Sequence, residues 1–143
     1  MKKNILKKLV GLGLTGVMTT AMAATAMAAN YDEAPLTLTN KGSAYCYIYV
    51  GADNASADTS VYTNYSTANI YAYAEVSLTL TYANGYESSA GSDWDSETVI
   101  GSSAYAEAYV TASSDYSVGA IATSSHVAEI DGVSESCGLE VEY

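Results

Sequence analysis

The chain has 143 residues, with sixteen Asp and Glu against five Lys and no Arg. Four of the lysines (Lys2, Lys3, Lys7, Lys8) lie near the N-terminus, so residues 29–143 keep only Lys41 and carry a net charge of −15 with His126 neutral. That charge excludes nucleic acid and anionic membrane surfaces as electrostatic partners, because both are held through clustered Lys and Arg.

Met1 to Leu9 is a basic opening, and Val10 to Met18 is a short apolar stretch. Ala26-Met27-Ala28 then supplies the small-x-small pattern of a cleavage site. The apolar stretch falls short of the about 20 residues that span a bilayer. Residues 1–28 are therefore expected to be a secretion signal, and residues 29–143 one secreted, extracellular domain of bacterial type.

From there the apolar residues recur with a period of two, the signature of half-buried strands. Leu36–Thr39 is a first short strand, preceded by Pro35 and followed by the turn Asn40-Lys41-Gly42. In Ser43–Val50, Ala44, Cys46, Ile48 and Val50 fall on one face and Tyr45, Tyr47 and Tyr49 on the other. Asp53–Asp58 reads as a polar turn and Ser60–Tyr65 as a strand. Ile70–Tyr82 shows the cleanest alternation: Ile70, Ala72, Ala74, Val76, Leu78 and Leu80 oppose Tyr71, Tyr73, Glu75, Ser77 and Thr79. Asn84-Gly85 follows, a pair suited to a type I′ hairpin turn with both central residues at positive φ, and Tyr86–Ala90 returns. Ser88–Ser96 reads as a polar connection. Ser102–Ala112 repeats the pattern, with Ala104, Ala106, Ala108 and Val110 opposite Tyr105, Glu107, Tyr109 and Thr111. Tyr116–Thr123, His126–Ile130 and Leu139–Tyr143 complete the set, with a turn at Asp131-Gly132. About eight short strands at this spacing predict an all-β, antiparallel sandwich, with a small barrel as the alternative.

Burying an unpaired carboxylate costs several kcal/mol, so the charge-free aliphatic faces are expected inside and the Tyr–Glu–Thr faces outside. Residues 29–143 hold 19 Leu, Ile and Val and no Phe, which leaves a thin core. Tyr82, Trp94 and Tyr116 are the aromatics expected to fill it. Cys46 and Cys137, an even count in an oxidising compartment, predict one disulfide.

No motif fixes a chemistry. Tyrosines at i and i+2 stand about 6.7 Å apart on one strand face, so Tyr71, Tyr73, Tyr105 and Tyr109 with Glu75 and Glu107 are the candidate platform. Sugar rings, a partner protein or another copy of the chain suit such a surface. Asp93, Asp95 and Glu97 offer oxygen ligands of the kind calcium takes, but Thr98 stands where a calcium loop needs Gly and Ala104 where it needs the closing Glu. No other cofactor is indicated. His126 is the only histidine and no G-x-S-x-G is present, so no enzyme is expected. About 115 residues are also few for an eight-stranded membrane barrel, and the tyrosines form no girdles. A non-enzymatic binding module is the leading expectation; a self-assembling surface polymer and a small bacteriocin-like effector are the alternatives.

Overall fold

A computed structural model of the chain describes residues 30–113 and 116–143; the expected secretion signal lies outside them. Eight strands follow in order: β1 (Tyr31–Leu38), β2 (Gly42–Val50), β3 (Asn54–Tyr62), β4 (Ala68–Tyr82), β5 (Glu87–Gly101), β6 (Ser103–Thr111), β7 (Ser117–Ile130) and β8 (Val133–Glu142). They build two four-stranded sheets, ordered β1-β2-β3-β6 and β5-β4-β7-β8, in which every pair is antiparallel. This is the expected sandwich.

The alternation read from the sequence sets which face is inside. Leu36, Leu38, Ile48, Val50 and Val61 of the first sheet are fully buried, as are Ile70, Val76, Leu78, Ile130, Leu139 and Val141 of the second. Thirteen alanines are buried among them, so much of the interface is filled by side chains no larger than a methyl group. Alanine lets two sheets approach closely and leaves no room for an aromatic ring. The expected aromatic filling is accordingly corrected. Tyr82 is only partly buried, while Trp94 and Tyr116 are 64% and 82% exposed.

Several strands run longer than the sequence reading gave. Asn54–Asp58 belongs to β3, because Ala55 and Ala57 point inward between outward Ser56 and Asp58. The acidic stretch read as a connection is the middle of β5. β7 is one strand, since Ser124 and His126 turn inward where a break was expected. Pro35 lies within β1 and not before it, on a sheet edge where a missing N–H is tolerated.

The hairpins use two turn chemistries. At the β7–β8 turn Asp131 and Gly132 both have positive φ, 50° and 81°, as a type I′ turn requires. At the β4–β5 turn only Gly85 does, with φ 78°. Its N–H donates to the Tyr82 carbonyl at 2.8 Å, and the Tyr82 N–H donates to the Tyr86 carbonyl at 2.9 Å. Ala83-Asn84-Gly85 is thus a three-residue loop closed by a left-handed glycine, in place of the expected two-residue turn. Asp131 also ties one end of the sandwich together: it accepts from the Asn69 N–H at 2.9 Å and from Lys41 Nζ at 3.0 Å. The Asn69 N–H, and after it Lys41, hold the Asp131 carboxyl below its usual range.

Two polar contacts cross the core. Cys46 of β2 and Cys137 of β8 meet from opposite sheets, both buried and near contact. Their sulfurs stand farther apart than the about 2.05 Å of a disulfide, so the expected bond is present here as two thiols. The second contact is a hydrogen-bonded chain. The Thr59 hydroxyl of β3 donates to the Tyr73 carbonyl of β4 at 2.7 Å, so it can only accept from His126 Nδ1, 2.9 Å away. Nε2 is then the acceptor, taking the Ser124 hydroxyl proton at 2.7 Å. The network itself fixes the neutral tautomer.

Burial drives the His126 pKa down from 6.5 to about 4, opposed by the Asp58 backbone carbonyl. A histidine whose folded pKa lies below its unfolded one gives its full stabilisation above pH 6.5 and loses it as pH falls toward 4. The shift corresponds to about 3 kcal/mol. His126→Leu should cost about 1–3 kcal/mol at pH 7.5 through the bonds it breaks. Its urea-unfolding free energy should then fall less than that of wild type between pH 6.5 and 4; parallel pH profiles would contradict the assignment.

Candidate functional site

The outer face of the first sheet is a grid whose rows follow from strand register. One row runs Tyr31, Tyr49, Ser56 and Tyr109; the next Glu33, Tyr47, Asp58 and Glu107; the third Pro35, Tyr45, Ser60 and Tyr105. Tyr45, Tyr105 and Tyr109 are about half exposed. Tyr31 stacks on Tyr47 with ring centroids 5.8 Å apart. A line of carboxylates therefore crosses the middle of a tyrosine field.

Asp58 is central to it. Its neighbours one strand away are Tyr47 on β2 and Glu107 on β6. Like charges directly opposite one another on a sheet are destabilising. Partial burial, and secondarily Glu107, push the Asp58 pKa up to about 6. Burial also raises the Tyr105 pKa to about 12, helped by Asp58 and Glu107 and by a hydrogen bond to Glu107. Tyr47 moves the same way, chiefly through burial and then through Asp58. These phenols stay protonated at neutral pH; Tyr105 gives its proton to Glu107, while Tyr47 can donate to an acceptor on a ligand.

The platform expected from the sequence is divided between the sheets. Tyr105, Glu107 and Tyr109 lie on β6 within this face. Tyr71, Tyr73 and Glu75 lie on β4, on the outer side of the second sheet. The outer faces of a sandwich look away from each other, so the two groups do not join. On the second sheet the Tyr73 hydroxyl donates to Glu75 at 2.9 Å and its ring stacks on Trp94 at 6.3 Å. The sequence reading missed Asp58 as a site residue because it was assigned to a turn. Tyr45, Tyr47 and Tyr49 were legible as an outward row, but not as the row that lies near Tyr105 and Tyr109.

The acidic run has a different place. In β5, Asp93, Asp95 and Glu97 pair with Val76, Ala74 and Ala72 and so point to the core side of their sheet. β5 is an edge strand, and beside it lies β6, the edge of the other sheet. The carboxylates reach across to that edge. The Tyr105 N–H donates to Glu97 at 2.7 Å, the Glu107 N–H to Asp95 at 3.2 Å and the Tyr109 N–H to Asp93 at 3.0 Å. Each acid serves a different N–H, two residues from the next along β6. Their oxygens therefore spread along a strand and do not converge as calcium ligands would. The same parity turns Trp94 outward. An open row of edge N–H groups invites pairing with another chain, and here acid side chains occupy it.

His126, the only histidine, contacts Ser124, and both side chains are buried between the sheets. Among the described residues no group of three or more His, Cys, Asp and Glu is arranged to hold a metal ion. No family model, curated protein or solved structure matches the chain.

Replacing Asp93, Asp95 and Glu97 together by Ala should raise native-state amide exchange at Tyr105, Glu107 and Tyr109 by roughly tenfold, the scale of one net hydrogen bond each. Exchange at other β6 amides should change less. Equal acceleration along the whole of β6 would show that the carboxylates do not act as individual caps.

Proposed function

We propose that this is an exported, non-enzymatic binding module that captures a partner on the tyrosine face of its first sheet. The observation that carries the reading is the grid itself, which holds Tyr31, Tyr45, Tyr47, Tyr49, Tyr105 and Tyr109 on one outer face. Rings with polar tips give contact area at low conformational cost and are enriched in recognition surfaces. The basic and apolar leader supports export. Export in turn supports oxidation of Cys46 and Cys137 by a thiol–disulfide oxidoreductase. The oxidant's disulfide would be reduced to two thiols as the protein's two thiols form the inter-sheet bond. Assembly of copies face to face is disfavoured, because Glu33, Asp58 and Glu107 would meet the same three carboxylates.

The test is a binding screen with neutral oligosaccharides and with peptides of both charges. Tyr45→Ser combined with Tyr105→Ser should weaken whatever binds by tenfold or more. Tyr116→Ser, which removes an exposed ring outside the grid, should change it little. Equal affinities for the wild type and the Tyr45/Tyr105 variant would contradict the reading.

A further inference from the structure

We infer that the tyrosine face takes a basic peptide segment, seating an arginine or lysine side chain on Asp58 among the surrounding rings. This rests on the binding role proposed above and names the chemistry of the partner.

The geometry is that of a carboxylate set in an aromatic field. Asp58 has Tyr47 and Glu107 directly opposite on its two neighbouring strands. Tyr45 and Tyr49 on β2, and Tyr105 and Tyr109 on β6, hold the four diagonal positions. Direct cross-strand neighbours lie about 5 Å apart and diagonal ones about 7–8 Å, within reach of one guanidinium or ammonium group. A cation there meets two carboxylates and the faces of tyrosine rings, and both attract it.

Charge complementarity decides between occupants. Beyond the leader the chain has a single cation, Lys41. It is held 3.0 Å from Asp131 at the end of the sandwich. The Asp58–Glu107 pair therefore has no internal counter-charge, and a cation from outside would relieve its repulsion at neutral pH. An anionic ligand would be repelled. A second copy brings three more carboxylates to the face. A bare divalent ion wants several converging oxygens, and tyrosine rings supply none of that chemistry. A cationic side chain fits both the acids and the rings, and arginine fits best, because its planar group stacks on aromatics while binding carboxylate oxygens in pairs.

Fluorescence anisotropy with a labelled hexa-arginine peptide at physiological salt tests this. Three proteins are compared: wild type, Asp58→Asn with Glu107→Gln, and Glu87→Gln with Glu129→Gln. The last pair removes the same charge from the second sheet and controls for bulk attraction to a polyanion. The inference expects roughly tenfold weaker binding in the Asp58/Glu107 variant and at most about twofold in the control. Removing like charges should leave the fold intact, and thermal melts verify that. Equal losses in the two double variants would mean attraction to overall charge alone and would overturn the inference. So would a neutral oligosaccharide that binds wild type and the Asp58/Glu107 variant alike but is lost with Tyr45→Ser and Tyr105→Ser. That last result would leave the binding role standing and remove only the cationic partner.

Discussion

Sixteen carboxylates with one lysine beyond residue 28 to answer them, around a core that buries a single acid, Glu135, among the described residues, are the constraint on which this structure turns. Each acid needs water, an N–H, a hydroxyl or a cation. Period-two alternation sends most of them to the outer faces. Asp131 takes the one lysine and a backbone N–H. Glu75 takes the Tyr73 hydroxyl. Asp93, Asp95 and Glu97 are turned toward the core side by their register and meet the edge N–H groups of β6 instead. The charge that could have opened the sandwich thus closes one of its sides. Asp58 has no such answer, nor does the buried Oε2 of Glu135, but Asp58 is the one that sits at the centre of the tyrosine grid.

The core is thin because much of it is alanine. Alanine-rich faces pack closely, and the aromatic mass is displaced to the surface, where tyrosine is soluble and remains a good strand former. What crosses the core is correspondingly specific. The Thr59–His126–Ser124 chain joins β3 to β7, and its donors and acceptors match in only one tautomer. Cys46 and Cys137 meet directly beside it, as the cross-strand neighbours of Thr59 and His126. Protonation acts on this arrangement in two directions. Below pH 6.5 the unfolded state gains a proton that His126 refuses. Below pH 6 the folded state gains one at Asp58, and the repulsion from Glu107 is relieved.

The fold class was legible because alternation reports burial directly: Ile70 to Tyr82 and Ser102 to Ala112 could not bury any other face. Extents were less legible where the inward residues are small or polar. Ala55 and Ala57 carry little hydrophobic signal, and Ser124 and His126 look like a break until their hydrogen bonds are seen. The β5 carboxylates resemble a solvated loop, because sequence gives no sign that a neighbouring edge offers matching N–H groups. The site was half legible for a related reason. Which strands present tyrosine was clear, but strand order decides which tyrosines meet, and order depends on contacts far apart in the chain. Tyr73 and Tyr105 share a pattern and face opposite ways, whereas Tyr45 and Tyr105 stand two strands apart on one face.

The central claim is that the fold gathers unanswered negative charge at one aromatic site. Site-resolved carboxyl titration by carbon-13 NMR tests it most directly. The account predicts that Asp58 titrates near pH 6 and moves down toward the ordinary range when Glu107 is replaced by Gln, while Asp131 titrates below that range. An Asp58 that titrates like an exposed aspartate, near 3.8 and indifferent to Glu107, would contradict it.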